Sequence, residues 1–224
     1  MLHKSIAGLL RIQTGCNEVF KYLLEKLKGK RGFLRGNILG MRVNFSARCV
    51  IVPQAPGKSI DEITIPYLTF LELYKFQLIN IYRKLHSCSY EEATKNWHNA
   101  LSTFDSVFYS AMEEMIKKAE GLPVLLNRNP TINFGSILLM RITDVKKDLN
   151  DYTLSLNNAV LPSLGADYDG DVLNIISLID EDFDKIFEAF SPKKMVISRD
   201  LVEMNSNFLP NKDYILGLHI LTES

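Results

Sequence analysis

Apolar side chains recur at helical spacing near the start of the chain: Ile6, Leu9 and Leu10, then Val19, Phe20, Leu23, Leu24 and Leu27. That spacing predicts a helix over 4–28, ended by Gly29 and Gly32. From Gly32 to Val52 glycines punctuate β-branched and aromatic residues, most clearly in RVNFSARCVIV, which predicts strand with loops. PQAPGKS (53–59) is a turn cluster. Pro66 then opens a long helix through YLTFLELYKFQLINIYRKL. Ser89 or Tyr90 starts a second, EEATKNWHNALSTFDSVFYSAMEEMIKKAEG, with Glu in its first turn, Lys in its last and Gly121 beyond. LPVLLN (122–127), GSILLMRITDV (135–145), YTLSLN (152–157) and DVLNIISLI (171–179) predict strands. Asp180 caps a short acidic helix, EDFDKIFEAF. Pro192 interrupts, and a last helix runs over KDYILGLHILT. The order is strands, two helices, strands, helices. It predicts an α+β fold with helices inserted between two parts of one β structure.

The composition, 46% hydrophobic and 23% charged over 224 residues, is that of an ordinary soluble globular protein. No run approaches the roughly 18 apolar residues of a membrane span, and MLHKSIAGLLRIQTGC is an amphipathic helix rather than a signal peptide. Cys16, Cys49 and Cys88 are odd in number and far apart. They imply neither a disulfide framework nor a zinc site, and fit a reducing, intracellular compartment. The formal net charge of zero hides an uneven distribution: no acidic residue falls between Glu25 and Asp61. That interval holds Lys26, Lys28, Lys30, Arg31, Arg35, Arg42, Arg48 and Lys58, a strong local positive field or a solvated face.

The candidate chemistry lies in LGADYDGDV (164–172), where Asp167, Asp169 and Asp171 alternate inside an apolar neighbourhood. On an extended strand the outer pair would sit about 13 Å apart, and a helix would scatter all three around its circumference. A curled loop gathers them, and Gly170 is the residue able to take a positive φ and turn the backbone. Two carboxylates about 4 Å apart repel by roughly 4 kcal/mol at a protein-like dielectric. Protons or a divalent cation must offset this, and oxygen-only ligands suit magnesium. A calcium EF-hand would need Gly and Glu where Val172 and Leu178 stand. A DxDx[T/V] phosphatase would need Thr or Val at Asp171. An acidic surface turn has little reason to sit between two apolar strands.

Three segments together resemble one family. KGKRGFLRGNILGMRVNFSARCVIV (28–52), PVLLNRNPTI (123–132) and GADYDGDVLN (165–174) are similar, in this order, to KGKxGRxRxNLLGKRVxxSxRxVI, PVLLNRAPTLH and NADFDGDxMN. These are motifs of the largest, beta-prime type, subunit of multisubunit DNA-directed RNA polymerases. KDYILGLHILT (212–222) resembles a later helix of that subunit, so the likeness runs from about residue 10 to the C-terminus.

The resemblance implies a double-psi β-barrel with inserted and flanking helices. Its expected parts are a helical lead-in (1–28), a first barrel part with the basic segment (29–60), a helical insertion (61–121), the remaining barrel with a metal loop (122–180) and a C-terminal helical segment (181–224). Asp167, Asp169 and Asp171 match the aspartates that hold the catalytic Mg2+, a second Mg2+ arriving with the NTP. Arg128 matches an arginine facing the nucleotide's ribose. Lys30, Arg31, Arg35, Arg42 and Arg48 fall in a segment lining the template and hybrid path. The implied partners are a beta-type subunit with a second barrel, the remaining catalytic-subunit segments, DNA template, RNA product and NTPs, with no membrane. An isolated chain is expected to be inactive, and the expected setting is the cytoplasm.

Departures from the motifs are Gly165 for Asn, Ile176 for His, Phe33 for the first Arg of GRxR, Asn129 for Ala and Asn133 for His. Together with many Asn, Ile and Lys residues they suggest a viral or phage version. Two other functions share parts of this pattern: a two-barrel RNA-dependent RNA polymerase, which also uses a DxDGD loop, and a non-catalytic barrel kept for binding. The basic segment speaks against the first, and the intact aspartates against the second.

Overall fold

The computed structural model describes residues 19–22, 24–28, 32–34, 36, 43–178, 185, 187–197, 203–208 and 212–222. The chain divides into two compact units, Met1–Val43 and Asn44–Ser224. In the first, residues 19–22 and 24–27 are helical, as the apolar spacing predicts for that stretch.

The second unit is built on a closed six-stranded barrel. Its strands are β1 (Ser46–Pro53), β2 (Glu62–Pro66), β3 (Leu122–Asn127), β4 (Ile137–Lys146), β5 (Thr153–Leu156) and β6 (Val172–Ser177). The order around the barrel is β1-β5-β2-β4-β3-β6. β1 with β5 and β2 with β4 run parallel, and the other four pairings are antiparallel. This mixed, interlocked arrangement is the double-psi barrel, and its closure leaves no free sheet edge.

Alternation explains the interior. Cys49, Ile51, Ile63, Ile65, Val124, Leu126, Leu138, Met140, Ile142, Leu154, Leu156, Leu173 and Ile175 are all buried, every second residue along their strands. Several face one another across strand pairs: Ile51 with Leu154, Ile63 with Ile142, and Leu126 with both Leu138 and Ile175. Small barrels of this kind are filled by side chains and hold no channel. On the outer face of β3 and β4, Leu125 and Leu139 are covered by Leu178, Phe187 and Phe190.

The chain departs from the predicted elements in three places. Glu62–Pro66, expected at the start of the helical insertion, is instead a barrel strand pairing with β4 and β5. It is five residues long with only Ile63 and Ile65 wholly buried before Pro66, too short for alternation to stand out beside the helix that follows. The long helix predicted after Pro66 is α1 (Tyr67–Leu73) and α2 (Lys75–His86), with Tyr74 between them at φ −113° and ψ 27°. No Gly or Pro marks that point. The hydrogen-bond ladder crosses it, Tyr74 N–H donating to Phe70 O and Leu78 N–H to Tyr74 O, so it is a kink that lets both aromatic rings bury. The second predicted helix is likewise two, α3 (Tyr90–Ala100) and α4 (Ser106–Lys118). Ser89 caps α3 as expected, and Trp97 ties it to α1 by donating to Leu71 O at 3.2 Å.

Asp105 makes the second break. Its carboxylate accepts from the Val107 and Phe108 N–H groups, satisfying donors that the first turn of α4 leaves free. Asp105→Ala therefore costs about 1 kcal/mol of stability. It is measured as a lower urea midpoint at unchanged slope.

After β5 come a short helical segment, α5 (Leu161–Leu164), then the acidic loop and β6. Pro192–Met195 forms one more helical turn (α6), and Lys212–Thr222 is helical (α7), as the pattern predicts. No helix among the described residues is long and apolar enough to cross a membrane.

Candidate metal centre

The loop that carries the aspartates is fixed at both ends by backbone. α5 stops at Gly165, which adopts the left-handed conformation (φ 59°, ψ 37°). Its N–H donates to Pro162 O while Ala166 N–H donates to Leu161 O, the paired bonds of a Schellman ending. At the other end Asp171 O accepts from Ile51 N–H at 3.0 Å, hooking the loop to β1 one residue before β6 begins. Tyr168 holds the middle. Its ring packs on the core, and its hydroxyl donates to Asn158 Oδ1 at 2.6 Å and sits 3.2 Å from Leu156 O. The motif reading did not single out this tyrosine. Its aromatic ring between two acidic residues was the available signal. Gly170 supplies the turn, at φ +111°.

The result is the gathering that the spacing predicts. One carboxylate oxygen from each of Asp167, Asp169 and Asp171 lies within 4.8 Å of the other two. Asp167 and Asp169 are exposed and Asp171 is half-buried. A hydrogen bond with Asp167, then the charge of Asp167, a little desolvation and the charge of Asp171 push the Asp169 carboxyl above its ordinary pKa.

The third carboxylate, Asp171, is paired with Arg128. The arginine follows β3 directly, and β3 is paired to β6 with Asn127 opposite Asn174. This register brings Arg128 Nη2 to 3.0 Å from Asp171 Oδ2 and 3.3 Å from Oδ1. Asp171 Oδ2 also accepts the Asp167 N–H at 3.2 Å. Gly165 lies beside the pair: a Cβ there would stand 3.8 Å from Arg128 Nη1.

The turn after β3 is tied by its own polar side chains. Asn127 donates to Asn129 Oδ1 and accepts from Thr131. Asn133 accepts from the Ser136 hydroxyl, whose oxygen in turn accepts from the Ile132 and Asn133 N–H groups. Asn129 and Asn133, both departures from the resembled motif, thus serve the local turn.

Arg48 lies exposed on β1, in register with Asn174 of β6. The structure therefore brings together Asp167, Asp169, Asp171 and Arg128, and sets Arg48 on an adjoining strand. Lys30, Arg31, Arg35 and Arg42 lie outside the described residues.

The donor set fits a small hard cation. Six ligands about 2.1 Å from magnesium stand roughly 3 Å apart when adjacent and about 4 Å apart when opposite. The three oxygens lie within 4.8 Å of one another, close to that spacing, and two of them belong to exposed side chains, Asp167 and Asp169.

Fold and site define a double-psi β-barrel protein with a three-carboxylate loop set against one arginine. The chain belongs to the family described as RNA polymerase Rpb1, domain 2, whose model matches residues 40–181. It is 29% identical over 231 residues to the DNA-directed RNA polymerase subunit beta' of Sulfurihydrogenibium sp., covering 100% of this chain and 14% of that protein. With the subunit of that name from Bacteroides fragilis (strain ATCC 25285) it shares 30% over 234 residues, 100% of this chain and 15% of the relative. For Karelsulcia muelleri the figures are 31% over 219 residues, 96% and 14%. The chain thus spans about one seventh of the length of these relatives.

Proposed function

We propose that this chain is the magnesium-holding part of the catalytic subunit of a DNA-directed RNA polymerase, and that it takes part in adding nucleotides to an RNA 3′ end on a DNA template. The observation that carries the reading is the loop in which three carboxylate oxygens converge within 4.8 Å beside Arg128. Membership of the family and relatives named for this enzyme support it.

Asp167, Asp169 and Asp171 would hold the ion as ligands, not as proton acceptors. When bound, magnesium lowers the pKa of the attacking 3′-hydroxyl, and a second ion arriving with the triphosphate stabilises the departing pyrophosphate. Arg128 presents a planar fork of donors, which suits ribose hydroxyls and phosphate oxygens. The 2′-hydroxyl is the handle by which such a fork tells RNA precursors from DNA precursors. Arg48, with Lys30, Arg31, Arg35 and Arg42, would contact backbone phosphates, which position strands without reading sequence. A second subunit with an opposing barrel completes the nucleotide site, in the cytoplasm where template and NTPs meet.

The test is primer extension on a DNA template. The chain alone makes no RNA. Assembled with a beta-type subunit and the remaining catalytic-subunit segments, it extends the primer only when Mg2+ is present. Extension without added divalent cation, in the presence of a chelator, would refute the reading. In the assembled enzyme Arg128→Lys lowers the preference for ribonucleotides over deoxyribonucleotides by about tenfold. That is the scale of one charge-assisted hydrogen bond to a hydroxyl. Unchanged discrimination removes Arg128 from that role.

A further inference from the structure

Asp171 is the most heavily engaged of the three carboxylates. Its two oxygens offer about four lone-pair positions. Arg128 Nη2 lies within reach of both oxygens, at 3.0 and 3.3 Å, and the Asp167 N–H takes a further position on Oδ2. Asp167 and Asp169 show no ion pair with a basic side chain among the described residues. Of the three, only Asp171 is paired with a basic side chain among the described residues. A divalent cation entering between the three must take an oxygen of Asp171 while a guanidinium sits on that same carboxylate. Two like charges on one carboxylate repel strongly when partly screened from water. Arg128 and Asp171 are each 22% exposed, so solvent screens them only in part.

We propose that Arg128 is a placeholder for the cation. It holds Asp171 in position while the site lacks its ion, and cation entry releases the guanidinium towards the oxygens of an incoming nucleotide. This rests on the metal reading given above and adds an order of events to it. Ion binding unblocks Arg128, so the ion and the nucleotide favour each other's binding beyond any direct contact between them. It also explains how one arginine can lie against a metal ligand and yet serve the substrate. The length and fork of its side chain let it hold the carboxylate or reach away from it.

The experiment measures Mn2+ binding to the 224-residue chain by the electron paramagnetic resonance signal of the free ion. The chains compared are wild type, Arg128→Gln, Arg128→Lys and Asp169→Asn. Loss of the competing charge makes Arg128→Gln bind Mn2+ about tenfold more tightly, whereas Arg128→Lys stays within about threefold of wild type. In a parallel Mg2+ titration of wild-type chain labelled with 15N-arginine, the Arg128 side-chain resonance, identified by its absence from Arg128→Lys, moves to the position of a free guanidinium. It does so with the same midpoint as ion binding. Unchanged or weaker binding by Arg128→Gln overturns the proposal, and so does an unmoved Arg128 signal at saturating Mg2+. If Asp169→Asn abolishes binding but Arg128→Gln leaves it unaltered, the placeholder fails and the metal site stands. If no variant binds Mn2+, or binding ignores Asp169→Asn, the metal site fails and takes the placeholder with it.

Discussion

If the chain acts as proposed in a DNA-directed RNA polymerase, replacing Asp169 by alanine slows RNA primer extension by the assembled enzyme at least about a thousandfold while its subunits still assemble. Metal assistance contributes several kcal/mol to a transition state that gathers charge on phosphate oxygens, and about 4 kcal/mol is a factor of a thousand in rate. Asp169 is the informative position because the fold does not depend on it. It is exposed, and its carboxyl is raised in pKa mainly by Asp167. Removing it relieves repulsion and leaves no buried group unpaired. Asp171→Ala would confound the answer, since Arg128 and the Asp167 N–H would both lose an acceptor. The measurement is single-turnover extension at saturating NTP, with thermal unfolding of the variant chain as control. That control should change by no more than a surface substitution does, about 0.5 kcal/mol. A rate within tenfold of wild type at equal Mg2+ means that the ion is not held by this loop.

The acidic loop was legible because its chemistry contradicts its surroundings. Three like charges between apolar flanks need a reason, and a glycine at the fourth place of DxDGD supplies a way to gather them; the flank before the loop, expected as strand, is the helical turn α5, and only the one after it is a strand. Two neighbouring barrel strands were legible by a similar contrast: LPVLLN and DVLNIISLI are short apolar runs, and they contain β3 and β6. β2 was hidden because EITIP has only Ile63 and Ile65 buried before its last residue, a helix-opening proline. Nor could the pattern show the kink at Tyr74, where tertiary burial of Phe70 and Tyr74 bends a helix that local preference would continue. The break before α4 did carry a local signal in Asp105, outweighed by the apolar spacing on both sides of it. The role of Tyr168 depends on a partner ten residues away, Asn158, and no spacing rule places those two side chains together.

The arginine shows both the reach and the limit of a motif. Its neighbourhood to Asp171 follows from register, Asn127 opposite Asn174, and register is set by burial of Leu126 and Ile175 on the inner face. A slip of one residue would turn those side chains out and carry Arg128 away from the loop. Core and site are therefore specified by the same pairing. This is why apolar runs with no chemistry of their own decide where the chemistry falls.

Gly170→Val lowers the affinity of the chain for Mn2+ by about a hundredfold, with a loss of about 1–3 kcal/mol in stability. The cause is backbone alone. Gly170 stands at φ +111°, where an L side chain is strained and a β-branched one most of all. A Cβ there would meet nothing within 4 Å, so no clash with a neighbour contributes. The loop relieves the strain by unwinding, and Asp167 and Asp169 swing away from Asp171, whose backbone stays hooked to Ile51. Gly165→Asn is the matched control. That residue is also at positive φ, 59°, but in the left-handed region that asparagine tolerates, with 3.8 Å of clearance to Arg128 Nη1. It costs under about 1 kcal/mol and keeps Mn2+ affinity within about threefold. A Gly170→Val chain that binds Mn2+ as tightly as wild type would show that three carboxylates converge on the ion without this bend. The loop's curvature would then belong to its packing through Tyr168 and not to its chemistry.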